Sequence, residues 1–180
     1  MTSLRPFDKL PKLNTAVVLL VGSEEIHREK IANAILKEPK TVNVKIHMTQ
    51  SLPLPYEREH LRPRFDMVVF LINLRSQFSL SVVLRSLSHL DLNYFLGKVC
   101  FLATGCADVK SCMVDISVVK KLADKHLTTL LLCQLDNEED VACSAQRILH
   151  NLEICAGLVP GVSALYLTPL ISNCLAFDQS

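Results

Sequence analysis

Apolar positions gather in five short runs: Ala16–Val21, Val42–Met48, Met67–Leu74, Lys98–Ala103 and Thr129–Cys133. All but one of these runs are continuous, as a strand covered on both faces requires. Val42–Met48 instead alternates, with Asn43, Lys45 and His47 on one side, which predicts an edge strand with one face partly wet. Between the runs the period becomes helical. Glu24–Lys37 turns Ile26, Ile31, Ala34 and Ile35 toward one side and stops before Pro39. Phe78–Leu90 carries Leu80, Val83, Leu84, Leu87 and Leu90, with Ser76 or Ser79 as its cap. Val114–His126 and Glu138–Ala156 follow, the last ending at Gly157 with Pro160 beyond. Strands alternating with helices predict an α/β fold: a doubly wound, mostly parallel five-stranded sheet with helices on both faces. Residues 1–180 read as one domain, with 1–13 an N-terminal extension and 162–180 an apolar C-terminal tail.

The connection from Met48 to Met67 departs from this scheme. It holds Pro53, Pro55 and Pro63 and has no helical period, so the crossover is loop alone. Residues 51–64 read either as a fixed recognition surface or as a mobile solvated loop around Glu57, Arg58 and Glu59.

The first strand runs into Gly22 and then directly into a helix, the strand–loop–helix frame of a phosphate-binding loop. From Gly22, the places of the second glycine, the lysine and the hydroxyl are taken by His27, Arg28 and Glu29. An imidazole fills the space through which the backbone would approach phosphate. A guanidinium fork does not replace a slim ammonium. A carboxylate in the Mg²⁺ position opposes a polyanion, at roughly 1–4 kcal/mol per like-charge pair near 4 Å. The residues read better as the first turns of an ordinary surface helix capped by Ser23, with Glu24 and Glu25 on its positive end, than as a working loop.

A small-GTPase-like fold would carry three further motifs. Asp66 is followed by Met67, Val68 and Val69, so Asp-x-x-Gly is absent, and the strand that would precede it is replaced by the proline-rich loop. The guanine-reading position holds Gly105, Cys106, Ala107 and Asp108, of which only the aspartate fits. Gln134, Leu135 and Asp136 stand where Ser-Ala-Lys belongs. Nothing remains to position phosphate, metal or base, and no G-x-S-x-G or H-E-x-x-H motif is present. The expectation is no enzyme, no cofactor and no metal. The alternative is a divergent nucleotide-binding protein or weak GTPase using other residues around Gly22.

Composition narrows the partners. A net charge of +1 and scattered Lys and Arg give no field for nucleic acid. Mean hydropathy is high at +0.29, yet no apolar run reaches the ~20 residues of a membrane span, and the N-terminus lacks the apolar core of a secretory signal. The surplus apolar content is expected in the sheet or against a protein partner. Seven scattered cysteines without a C-x-x-C pair read as free thiols in a reducing compartment.

Several stretches together, LRPFDKLPKLNTAVVLLVG, TQSLPLP, RPRFDMVVFLINL, FLGKVCFLATG and ICAGLVPGVSAL, resemble the centromere protein M family nearly end to end. That resemblance implies a small-GTPase-like fold without functional switch elements, which works by binding. It implies the nucleus and the inner kinetochore, in an assembly with centromere proteins I, H and K, with centromere protein I as the direct partner. It implies neither direct nucleic-acid binding nor a membrane. Two apolar places outside the expected core are candidate docking residues: Tyr94, Phe95 and Leu96 after the second helix, and Leu165, Tyr166 and Leu170 in the tail.

Overall fold

The structure, a computed structural model, describes residues 3–106 and 109–166. Five strands form one sheet: β1 (Thr15–Val21), β2 (Asn43–Thr49), β3 (Met67–Asn73), β4 (Val99–Thr104) and β5 (Thr129–Cys133). Their spatial order is β2-β1-β3-β4-β5 and every pairing is parallel, from Thr15 opposite Asn43 to Thr104 opposite Cys133. β2 is an edge strand, and Asn43, Lys45 and His47 are exposed as its alternation predicts.

Among the described residues three α-helices lie between strands, α1 (Glu25–Lys37), α2 (Gln77–Leu87) and α3 (Ile116–His126), and α4 (Glu138–Cys155) follows β5. The period-two geometry of β1 sorts its residues between two cores. Ala16, Val18 and Leu20 meet Ile31 and Ile35 of α1 and Val141, Ala145 and Ile148 of α4. Val17, Leu19 and Val21 belong to the opposite core, with Leu80, Val83 and Leu87 of α2 and Val119 and Ala123 of α3. Each such valine, leucine or isoleucine side chain stabilises the fold by about 1.5–3 kcal/mol through burial. The sheet is thus doubly wound, as the apolar runs predict.

Helix ends differ in detail from the sequence expectation. α1 is preceded by Glu24, not Ser23, and no side chain caps it; Ile26 points to solvent, and its place on the buried face goes to Arg28. Ser76 caps α2 by accepting from Ser79 N–H at 3.2 Å, while Ser79 Oγ accepts from Asn73 N–H at 2.9 Å. α3 starts two residues later than the period suggests because the Asp115 carboxylate takes the cap, bonding Ser117 N–H at 2.8 Å.

The proline-rich crossover is anchored at Leu52, while Tyr56 and Leu61 stand exposed. Leu52 is buried against the α2 core, and its N–H donates to Ser86 Oγ at 3.0 Å. A 3₁₀ turn, Tyr56–Leu61, follows, and Lys9 Nζ reaches it from the N-terminal segment through Glu59 O at 2.9 Å. That segment is tied down at its other end too, since Leu4 exchanges backbone bonds with His89 and Asp91.

Candidate functional site

In an open parallel sheet a ligand sits beyond the carboxyl ends of the strands, where the winding reverses. Here that place lies between β1 and β3, between Gly22 and Asn73. Gly22 fits it closely, since a Cβ there would stand 3.0 Å from Leu71 Cβ. Into this place the chain puts its own carboxylate. Glu24 accepts from Asn73 Nδ2 at 2.5 Å and meets His27 Nδ1 at 3.0 Å. Arg28 is buried, folds back onto the loop and donates to the Gly22 carbonyl. Its Nε has no partner among the described residues. What remains is a crevice of about 160 Å³ lined by His27, Asn73, Arg75, Gly105, Gln134, Leu135 and Asp136.

The degenerate motif residues separate accordingly. Gly22, His27 and Arg28 stay at the loop, whereas Glu29 is exposed on α1 and lines nothing there. Gly105 reaches the crevice with φ +81, a backbone region that favours glycine. Cys106 turns back toward Ala103 O at 3.8 Å, and Asp108 lies outside the described residues. Among the described residues no group of three or more His, Cys, Asp or Glu side chains is placed to hold a metal. No described helix is long and apolar enough to cross a membrane.

A second cavity among the described residues is at the opposite end of the sheet, below the N-termini of β3 and β4. It is a groove of about 450 Å³. Leu96 and Leu165, chosen from distant stretches of sequence, both line it, together with Phe7, Ile154 and Val162. The floor is polar: Arg64, Lys98 and the end of α4 at Cys155. Lys98 Nζ donates to Cys155 O at 2.7 Å, and Cys155 Sγ donates to Gly97 O at 3.3 Å. Burial lowers the Lys98 pKa and pushes the Cys155 thiol up to about 12. Asp66, beside them, accepts from Val17 N–H at 2.9 Å and pairs with Arg64 Nε at 3.2 Å. Burial raises its carboxyl pKa, against the pull of Val17 N–H, Arg64 and Lys98.

Tyr94 does not belong to this surface. It is fully buried, its hydroxyl donates to Phe65 O at 3.1 Å, and burial raises its phenol pKa. The expectation that it docks a partner is therefore corrected: a large ring over the α2 face fills the core. Phe95 is half-buried and stacks on His126, ring centroids 4.9 Å apart. Leu96 is 44% and Leu165 57% exposed. Tyr166 ends a 3₁₀ turn with its side chain undescribed, and Leu170 lies outside the described residues.

Sequence reasoning missed Phe7, Arg64 and Lys98 as groove residues. For Lys98 a signal exists, a charge opening an otherwise continuous apolar run. Glu24 as the occupant of the loop had no signal, because its partner Asn73 is distant in sequence.

The two ends of the sheet define a class: a parallel α/β protein whose loop after β1 is occupied by its own Glu24, His27 and Arg28 side chains, with an apolar groove at the other end. The centromere protein M (CENP-M) family profile matches residues 1–174. Centromere protein M of Xenopus laevis is 68% identical over 179 residues, covering 99% of each chain. The Homo sapiens protein of that name is 48% identical over 173 residues, 96% of this chain and 95% of its own. That of Danio rerio is 40% identical over 179 residues, 99% and 96%. The chain belongs to the centromere protein M family and is a centromere-associated protein.

Proposed function

We propose that the chain is a non-catalytic scaffold subunit of the inner kinetochore, which supports assembly of the centromere complex and chromosome segregation by docking a protein partner. The direct partner in this reading is centromere protein I, with centromere proteins H and K in the same assembly. The observation that carries it is the meeting of Leu96 and Leu165 at one groove. Exposed aliphatic side chains around a preformed concavity are what a partner helix needs in order to bury its own apolar face. The loop after β1 supports the same reading, since the Glu24 carboxylate is held there by Asn73 and His27 and would oppose a phosphate, with no lysine at the motif position to offset it.

Co-purification of the full chain with centromere protein I tests this, with wild type compared to Leu96→Glu and Leu165→Glu. Both variants are expected to keep the wild-type melting transition and to lose the partner. A partner retained by both at wild-type affinity would refute the groove as its site.

A further inference from the structure

Two cations, Arg64 and Lys98, line the groove, and no carboxylate among the described residues does. Lys98 is only 7% exposed, and the Arg64 side chain 16%. The one carboxylate beside them, Asp66, is already divided between Val17 N–H and Arg64. Among the described residues Lys98 Nζ has one hydrogen-bond acceptor, the Cys155 carbonyl, for its three N–H groups, and takes part in no ion pair. The Asp91 carboxylate is engaged in capping Asn93 at 2.9 Å, and Asp8 faces solvent.

The ring of Phe7 lies over both cations, 5.6 Å from Lys98 Nζ and 5.8 Å from Arg64 Cζ. An aromatic face attracts a cation but accepts no strong hydrogen bond from it. Phe7 is itself 62% exposed and sits on the N-terminal strap between the Leu4 and Lys9 anchors. A buried ammonium with one carbonyl and a ring is poorly compensated, and the apolar walls would strengthen any charge-assisted bond made there.

We propose that the groove takes a protein segment presenting an aspartate or glutamate between aliphatic side chains. The aliphatic groups pack on Leu96 and Leu165, and the carboxylate displaces the Phe7 ring to bond Lys98 and Arg64. The proposal rests on the docking reading of the groove and adds the chemistry that selects the partner: Lys98 as a specificity residue, Phe7 as its cover in the free chain.

The test uses the full chain and centromere protein I, with affinity measured for wild type, Lys98→Met, Lys98→Arg and Leu165→Glu. Acidic residues of the partner are neutralised one at a time. Lys98→Met is expected to weaken binding roughly tenfold or more, with Lys98→Arg recovering most of the loss. One partner carboxylate is expected to give the same loss when neutralised, and no further loss when combined with Lys98→Met. Unchanged affinity in Lys98→Met, while Leu165→Glu still abolishes binding, overturns the acidic-residue proposal and leaves the groove intact. Unchanged binding in Leu165→Glu overturns the groove itself. Self-association of the chain that Leu165→Glu removes would assign the groove to a second copy, against the proposal. If Lys98→Met lowers the melting transition, the partner scan decides alone: finding no sensitive carboxylate overturns the proposal.

Discussion

Gly97 and Ala164 touch through their backbones: a Cβ added to Gly97 would stand 2.1 Å from the Ala164 carbonyl oxygen. This contact fixes the 3₁₀ turn that carries Leu165 against the loop that carries Leu96, so one glycine sets the width of the groove. Gly97 also has φ +85, which a side chain rarely adopts. Gly97→Ala is expected to destabilise the chain by about 1–3 kcal/mol, a fall of roughly 3–10 °C in melting temperature. The larger effect is expected on partner affinity, measured on folded protein below the transition. Wild-type affinity in a folded Gly97→Ala chain would mean that the groove width is set elsewhere.

Tyr94 and Leu96 are neighbours with opposite expected phenotypes. Tyr94→Ala removes a fully buried ring and is expected to lower stability by about 3–5 kcal/mol. Tyr94→Phe strands the Phe65 carbonyl, at about 1–3 kcal/mol. Leu96→Glu is expected to stay within about 0.5 kcal/mol of wild type. Denaturant unfolding of the three variants checks the ordering, which fails if Leu96→Glu unfolds as readily as Tyr94→Ala.

The Glu24–Asn73 bond joins the loop after β1 to the end of β3. Glu24→Ala is expected to destabilise by about 1–2 kcal/mol, the value of a charge-assisted hydrogen bond with its partner left unpaired. In the wild-type chain, titration with labelled GTP and Mg²⁺ is expected to give no saturable binding up to millimolar nucleotide. Micromolar saturation would mean that the Glu24 clamp opens readily and that Arg28 can turn outward.

Two histidines make stability fall on mild acidification. The pKa of His47 is lowered by burial and then by Lys45, and that of His126 by burial and then by Lys125. The folded chain therefore binds fewer protons than the unfolded chain near and below the ordinary histidine value of 6.5. Their contribution is present above that value and lost as pH falls through it toward the folded pKa. His47 meets the Phe65 ring edge at 5.5 Å, and His126 stacks on Phe95. The melting temperature is expected to drop between about pH 7.5 and about pH 5.5. A His47→Gln, His126→Gln double variant should show a shallower slope; an identical slope would assign the loss to other groups.

Most of the sheet was legible because continuous apolar runs leave little choice of environment: Val68–Ile72 and Val99–Ala103 are buried on both faces as their composition demands. The α2 stripe and the edge character of β2 were legible for the same reason. Tyr94 was not, because an apolar cluster in a short connection reads alike whether it turns inward or outward, and only the approach of Phe65 decides it. Ile26 and Arg28 exchanged roles because the loop after Gly22 draws the guanidinium in, an energy that helical periodicity does not contain. At the groove, Leu96 and Leu165 were separately legible as surplus apolar residues, but their meeting depends on the Gly97–Ala164 contact.

The central claim, that this chain works through the groove below the sheet and not through the crevice above it, is tested most directly by hydrogen exchange of the full chain with and without centromere protein I. The expected result is partner-dependent protection in residues 93–98 and 154–165, with residues 22–28 and 134–136 unchanged. Protection confined to the loop after β1 and the crevice residues, with the groove exchanging as in the free chain, would contradict it.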